Sequence, residues 1–247
     1  MSVDSPEELE GLRRAGALAA RVLREVRDAV APGVSTGELD ALAAEIMRSA
    51  GGRSAPIMTY GFPGAICISL GDEAVHGIPG PRRLTAGDLV KLDVAVELDG
   101  YFGDTATTVA VEPVASADAR LIAATKAALA RGMSAATAGA RLRDDGEAVE
   151  RIVEARGFSV LRELTGHGIG RGLHEPPTIY NYAHDGATAR LHEGLVVTIE
   201  PMIAKGTRQV LGTGDGWTVV TANGANSAHE EHTIVVTAGE PIVLTAA

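Results

Sequence analysis

The stretch "DLVKLDVAVELDGYFGDTATTVAV", residues 88–111, carries two alternating, β-branched runs on either side of an Asp99-Gly100 pair. Asp-Gly between such runs is a strong hairpin signal, because both residues tolerate the positive φ that a two-residue turn demands. With the turn at 99–100, residue 98 opposes 101, 95 opposes 104 and 93 opposes 106. Asp93 and Asp104 then share one face of the sheet on a diagonal, about 7–8 Å apart. Asp93 lies inside the apolar run "LVKLDVAV", where a carboxylate is costly to bury unless it is paired or bound to a metal.

The period changes on both sides of the hairpin. In "SPEELEGLRRAGALAARVLREVRDAVAPG", residues 5–33, Ser5 reads as an N-cap, Pro6 as the first helical residue and Glu8 as the closing member of a capping box. Leu9, Leu12, Ala15, Leu18, Ala19, Val22, Val26 and Val30 fall on one helical face, and Pro32-Gly33 ends the run. A second helix runs from Ser35 and Glu38 to Gly51-Gly52. Past the hairpin, Ser116 opens a helix of about twenty residues, and "DDGEAVERIVEARG" forms another, with Asp144 as cap and Gly157 closing it. "AICISL", "FSVLREL", "GLVVTIEPMI", "WTVVTA" and "EEHTIVVT" read as strands. This order predicts one α+β domain spanning 1–247, in which two helix pairs cover a single, curved, mostly antiparallel sheet with an internal duplication. The other face of the sheet is left free for a site.

At 247 residues, 45% hydrophobic and 22% charged, the chain has the composition of a globular domain, with only 3% aromatics, so aliphatic side chains fill the core. A net charge of −10 argues against nucleic acid or an anionic membrane as partner. Cys67 is the lone cysteine, the N-terminus "MSVDSPEELE" is acidic, and no apolar run approaches about 18 residues, which together predict a cytoplasmic protein.

Asp93 has counterparts. Glu200 stands within the apolar "GLVVTIEPMI", followed by Pro201, and Glu231 heads "EEHTIVVT". Alternation puts Glu231 on a face with His229 and Thr233, and Glu230 and His232 on the other. "HEEH" is not the zincin motif, whose histidines are four apart on a helix. "ELTGHGIGRGLHEPP", residues 163–177, lacks the Lys-Ser/Thr of a phosphate loop, but its glycines let the chain turn tightly enough to push an imidazole such as His167 into a cavity. Four carboxylates, Asp93, Asp104, Glu200 and Glu231, match the charge of two divalent ions. With His167 added, borderline ions such as Co, Mn, Fe or Zn fit better than magnesium or calcium. Two ions about 3.5–4 Å apart suit hydrolysis.

These residues resemble a known pattern. "VHGIPG", "LDVAVELDGYFGDTATT", "TGHGIGRGLHEPP", "GLVVTIEPMI" and "GWTVVTANGANSAHEEHTIVVT" occur in the order found in the bacterial-type (type I) methionine aminopeptidases, M24 metallopeptidases of "pita-bread" fold, and the resemblance runs over nearly the whole chain. It implies a dinuclear centre in which Asp93 chelates one ion, Asp104 and Glu231 bridge both, and His167 with Glu200 completes the other. Glu200 is implied to shuttle the proton of the attacking hydroxide, His174 to contact the scissile carbonyl oxygen and His76 the peptide nitrogen. The implied methionine pocket comprises Phe62, Cys67, His76, Leu173 and Trp217.

The chain also departs from the family. "MTYGFPG" is one residue short of the usual aromatic stretch, leaving open whether Tyr60 lines the pocket, and Leu173 stands where Phe is common. His229 and Glu230 replace a Gln and an aromatic residue, with His229 placed to tune or join the metal site. The implied activity is removal of the initiator methionine from nascent proteins whose second residue is small, by a monomer without an N-terminal extension, near the ribosome. The alternatives are a proline-directed aminopeptidase of the same fold and an inactive relative that binds peptide or ribosome.

Overall fold

The computed structural model describes residues 1–246. Asp99 and Gly100 adopt φ of 52° and 81°, the paired positive values of the expected hairpin turn. Leu89–Leu98 pairs with Tyr101–Ala110 in the predicted register, Leu98 against Tyr101, Ala95 against Asp104 and Asp93 against Ala106. Seven further segments complete a nine-stranded sheet. Numbered along the chain, its strands are β1 (Arg53–Ser54), β2 (Cys67–Leu70), β3 (Leu89–Leu98), β4 (Tyr101–Ala110), β5 (Gly166–Gly168), β6 (Glu175–Ile179), β7 (Val196–Ile199), β8 (Glu231–Val235) and β9 (Ile242–Val243). The order is β1-β3-β4-β8-β7-β5-β6, with β2 also on β3 and β9 on β8. Each of these ladders is antiparallel.

The expectation of one continuous sheet needs correction. "GLVVTIEPMI" makes two strands: β7, and Met202–Ala204, which pairs instead with Ser227–His229 and Ser159–Val160. Pro201 between them has no N–H to give a ladder. A third small sheet joins Val210–Gly212, Val219–Thr221 and Glu73–Val75. "FSVLREL" is extended only at Ser159–Val160, since Leu164 N–H turns back to the Leu161 carbonyl.

Five helices accompany the sheets: α1 (Pro6–Asp28), α2 (Thr36–Ser49), α3 (Ala55–Tyr60), α4 (Ser116–Ala135) and α5 (Leu142–Ala155). Ser35 and Glu38 form the predicted capping box of α2. At α1, Ser5 caps as expected, but the Glu8 carboxylate takes the Asp4 N–H. In α5, Asp144 is the third helical residue rather than the cap, and accepts from the backbone of Arg141. Leu9 and Val30, at the ends of the α1 stripe, are half-buried, while the six residues between them are buried.

Alternation along β3 divides the molecule. Leu92, Val94 and Val96 pack beneath α1 and α2 with Val22, Val26, Leu39 and Ile46. On the second half, Leu121, Ala128, Val149 and Val153 of α4 and α5 pack on Val160, Ile203 and Ala228. Helix α1 crosses β4 closely enough that a Cβ on Gly103 would stand 2.8 Å from the Gly16 nitrogen. The odd-numbered residues of β3, Asp93 and Ala95 among them, face the other way. No helix among the described residues is long and apolar enough to cross a membrane.

Candidate metal centre and adjoining pocket

The strand registers align the chemically distinctive residues in two adjacent rows on this face. Cys67 pairs with Asp93, Asp93 with Ala106, and Ala106 with Glu231. Since His232 opposes Ile199, Glu231 continues the row toward Glu200. In the next row Ala95 pairs with Asp104, which continues toward Thr233, and Thr233 pairs with Thr198. Gly168 opposes Val197, so His167 extends this row beyond Thr198. The five predicted ligands therefore come from five strands, β3, β4, β8, β5 and the end of β7. Ala106 lies between Asp93 and Glu231 in the first row and Ala95 beside Asp104 at the end of the second, each carrying only a methyl group.

Threonines hold the rows in place. Thr233 Oγ1 donates to the Asp104 carbonyl at 2.7 Å and accepts from its N–H at 3.0 Å. Thr198 Oγ1 accepts the His167 N–H at 3.0 Å and donates to Glu200 Oε1 at 2.6 Å. His167 Nδ1 lies 2.9 Å from the Gly168 carbonyl, which can only accept, so the proton is on Nδ1 and the Nε2 lone pair is free. That Nε2 stands 3.5 Å from Glu200 Oε1 and 3.9 Å from Asp104 Oδ2.

The electrostatics call for cations. Burial pushes the Asp93 carboxyl up to about 7. Asp104, Glu200 and Glu231 are driven well above the usual carboxylate range by burial, with the charge of neighbouring acids adding to it. Burial lowers His167 to about 4. Asp104 Oδ1 and Glu231 Oε1 are buried without a hydrogen-bond partner. Donor atoms of Asp104, His167 and Glu231 all lie within 4.8 Å of one another. Unpaired buried oxygens, mutual repulsion and an imidazole with a free lone pair fit a divalent metal.

The rows form one wall of a cavity of about 440 Å³ that all eleven sequence-predicted site residues line: Phe62, Cys67, His76, Asp93, Asp104, His167, Leu173, His174, Glu200, Trp217 and Glu231. Phe62 and Trp217 meet edge to face at 5.2 Å, Phe62 fully inside and Trp217 half-buried. Val75 and Met202 extend this apolar end, and nothing in their local sequence distinguishes a pocket wall from a core. His76 has φ of 57°, a left-handed conformation that costs a β-carbon residue roughly 1–3 kcal/mol and is more common where a side chain must be aimed. His76 and His174 keep accessible faces, and burial lowers the pKa of each.

Tyr60 does line the cavity. It ends α3, and its hydroxyl lies 2.7 Å from His174 Nδ1. The Ser54 cap and Pro56 were the available signal for this helix, which the apolar period was too short to reveal. His229 also enters the cavity, whereas Glu230 points away, accepting from Thr107 Oγ1 at 3.0 Å and the Thr108 N–H at 3.2 Å.

The profile of metallopeptidase family M24 matches residues 10–238. Methionine aminopeptidase 1 of Bacillus subtilis (strain 168) is 41% identical over 233 residues, 94% of each chain. Methionine aminopeptidase of Escherichia coli (strain K12) is 41% identical over 247 residues, 99% of this chain and 94% of the relative. The crystal structure of methionine aminopeptidase from Rickettsia prowazekii superposes with a TM-score of 0.96 at 39% identity, covering 100% of both chains.

Proposed function

The chain belongs to metallopeptidase family M24, and we propose that it acts as a methionine aminopeptidase, hydrolysing the bond after an N-terminal methionine when the next residue is small. The observation that carries this reading is the junction of the two ligand rows with the apolar end of the same cavity. A peptide whose thioether side chain lies against Phe62, Cys67, Leu173 and Trp217 brings its first carbonyl to the carboxylates.

Asp93, Asp104, His167, Glu200 and Glu231 would hold a pair of divalent ions of the Co, Mn, Fe or Zn type, which when bound supply Lewis acidity and a nucleophilic water at neutral pH. Glu200 accepts a proton from the attacking water and delivers it to the departing amine, a task suited to a carboxyl whose pKa burial has raised. The Thr198 hydroxyl donates to Oε1 and fixes the orientation of the carboxylate for that transfer. His174 donates from Nε2 to the carbonyl oxygen as negative charge develops there. His76, fixed by its backbone, faces the scissile nitrogen.

Tyr60, His76 and His174 form a rim that crowds the position after the scissile bond, which selects small second residues. Nascent chains supply such termini, and one copy of the chain carries every residue invoked. The test is hydrolysis of Met-Ala-Ser, Met-Leu-Ser and Ala-Pro-Ala by metal-reconstituted protein. Release of methionine from the first alone supports the proposal. Cleavage of only the Ala-Pro peptide would install a proline-directed activity, and no cleavage with any of the four metals would leave a binding protein.

A further inference from the structure

Pro201 interrupts the ladder between Ile199 and Met202, and the opposite strand breaks at Glu230. The chain therefore approaches Glu231 along a different sheet, with His229 paired to Met202. Thr108 pins it: the His229 N–H donates to Thr108 Oγ1 at 2.8 Å, and that hydroxyl donates back to the His229 carbonyl at 2.8 Å. The backbone is thus fully engaged. The ring is not, for His229 is 2% exposed and neither Nδ1 nor Nε2 has a hydrogen-bond partner. An imidazole so buried forfeits its water contacts without replacement, which is costly unless something else is bound there.

The direction of the ring identifies what that is. Its Nε2 lies 3.8 Å from Glu200 Oε2 and 3.9 Å from Glu231 Oε2. These spacings are too long for hydrogen bonds. Donor atoms bound to one ion by bonds of about 2.1 Å stand roughly 3–4 Å apart, so the spacings suit shared coordination. His167 Nε2 stands in the same relation to Glu200 Oε1 and Asp104 Oδ2, at 3.5 and 3.9 Å. Glu200 is flanked by an imidazole on each of its oxygens.

We infer that His229 Nε2 is a sixth protein donor of the metal centre, binding the cation held between Glu200 and Glu231. This rests on the metallopeptidase reading above and adds to it a second nitrogen ligand. A second imidazole leaves the charge balance unchanged and shifts preference toward nitrogen-favouring ions such as Co and Zn over Mn.

The test is proton NMR of the Co(II)-loaded full chain in H2O, in which each cobalt-bound imidazole with a protonated distal nitrogen gives one strongly shifted exchangeable resonance. Wild type should show two. His229→Gln should lose one and His167→Asn the other. Competition with a chromophoric chelator should show His229→Gln weakening Co(II) about 10-fold or more while Mn(II) changes less. A single resonance in wild type overturns the inference whatever the variants do, so a misfolded variant does not spare it. Activity measured on the same wild-type sample separates the two readings. Methionine release with one resonance removes His229 from the ligand set and keeps the aminopeptidase. Two resonances without hydrolysis keep the ligand and remove the activity, and failure to take up cobalt overturns both.

Discussion

Asp93→Asn should abolish activity and yet make the metal-free protein more stable. Asp93 sits in the row between Cys67 and Ala106, and burial raises its carboxyl from 3.8 to about 7. A folded-state pKa above the unfolded one means that the carboxyl's contribution is fully present below about pH 4. It is lost as pH rises through about 7, because the folded chain then keeps a charge that the unfolded chain hydrates better. At about 1.4 kcal/mol per pH unit, this rise represents at most about 4 kcal/mol of stability missing at pH 8. Asparagine retains the shape without the charge. In EDTA at pH 8 the variant should therefore exceed wild type by about 2–4 kcal/mol, a gain of about 5–15 °C in Tm for a chain of this length. At pH 4 the two should converge, and with saturating Co(II) or Mn(II) the order should reverse. Urea unfolding and differential scanning fluorimetry at both pH values measure this directly. An Asp93→Asn variant that melts at or below wild type in EDTA at pH 8 would refute the argument that uncompensated carboxylates strain this face.

Ala106→Leu fills the space between Asp93 and Glu231, and elemental analysis of metal-soaked protein should find less than one ion per chain with circular dichroism unchanged. Trp217→Ala removes much of the apolar wall and should lower kcat/KM for Met-Ala-Ser about 10–100-fold, the equivalent of roughly 1.5–3 kcal/mol, chiefly through KM. Tyr60→Phe removes the hydroxyl 2.7 Å from His174 Nδ1; if, as the proposed donation from Nε2 requires, that hydroxyl donates to Nδ1, kcat should fall about 3–10-fold with KM unchanged, in line with one hydrogen bond of about 1 kcal/mol. Gly103→Ala places a methyl against the α1 backbone and should cost about 1–3 kcal/mol in urea unfolding, with metal binding intact.

The hairpin and its two aspartates were legible because an Asp-Gly turn fixes a period-two register on both strands, and counting outward from residue 99 places everything else. Glu200 and Glu231 were legible as charges in apolar strands. That these four and His167 fall into two rows was not, since the rows depend on β4 pairing with β8 across residues 111–230, β8 with β7 across 200–230 and β7 with β5 across 169–195, which local pattern does not specify. Pro201 signalled a broken ladder, but its consequence, the redirection of His229 into the cavity, required the matching break at Glu230. Helix α3 was missed for its brevity, six residues closed by Gly61 at φ of 71°. Met202 and Val75 were missed because a pocket wall and a core have the same composition.

Every role proposed for these side chains depends on the two adjacent rows framing a metal centre. Anomalous diffraction from crystals of the cobalt-loaded chain, measured above and below the cobalt edge, tests this most directly. Anomalous peaks are expected over Ala106, bounded by Asp93, Asp104, His167, Glu200 and Glu231, two of them about 3.5–4 Å apart. Peaks confined to surface carboxylates, with this cluster empty at saturating cobalt, would contradict it.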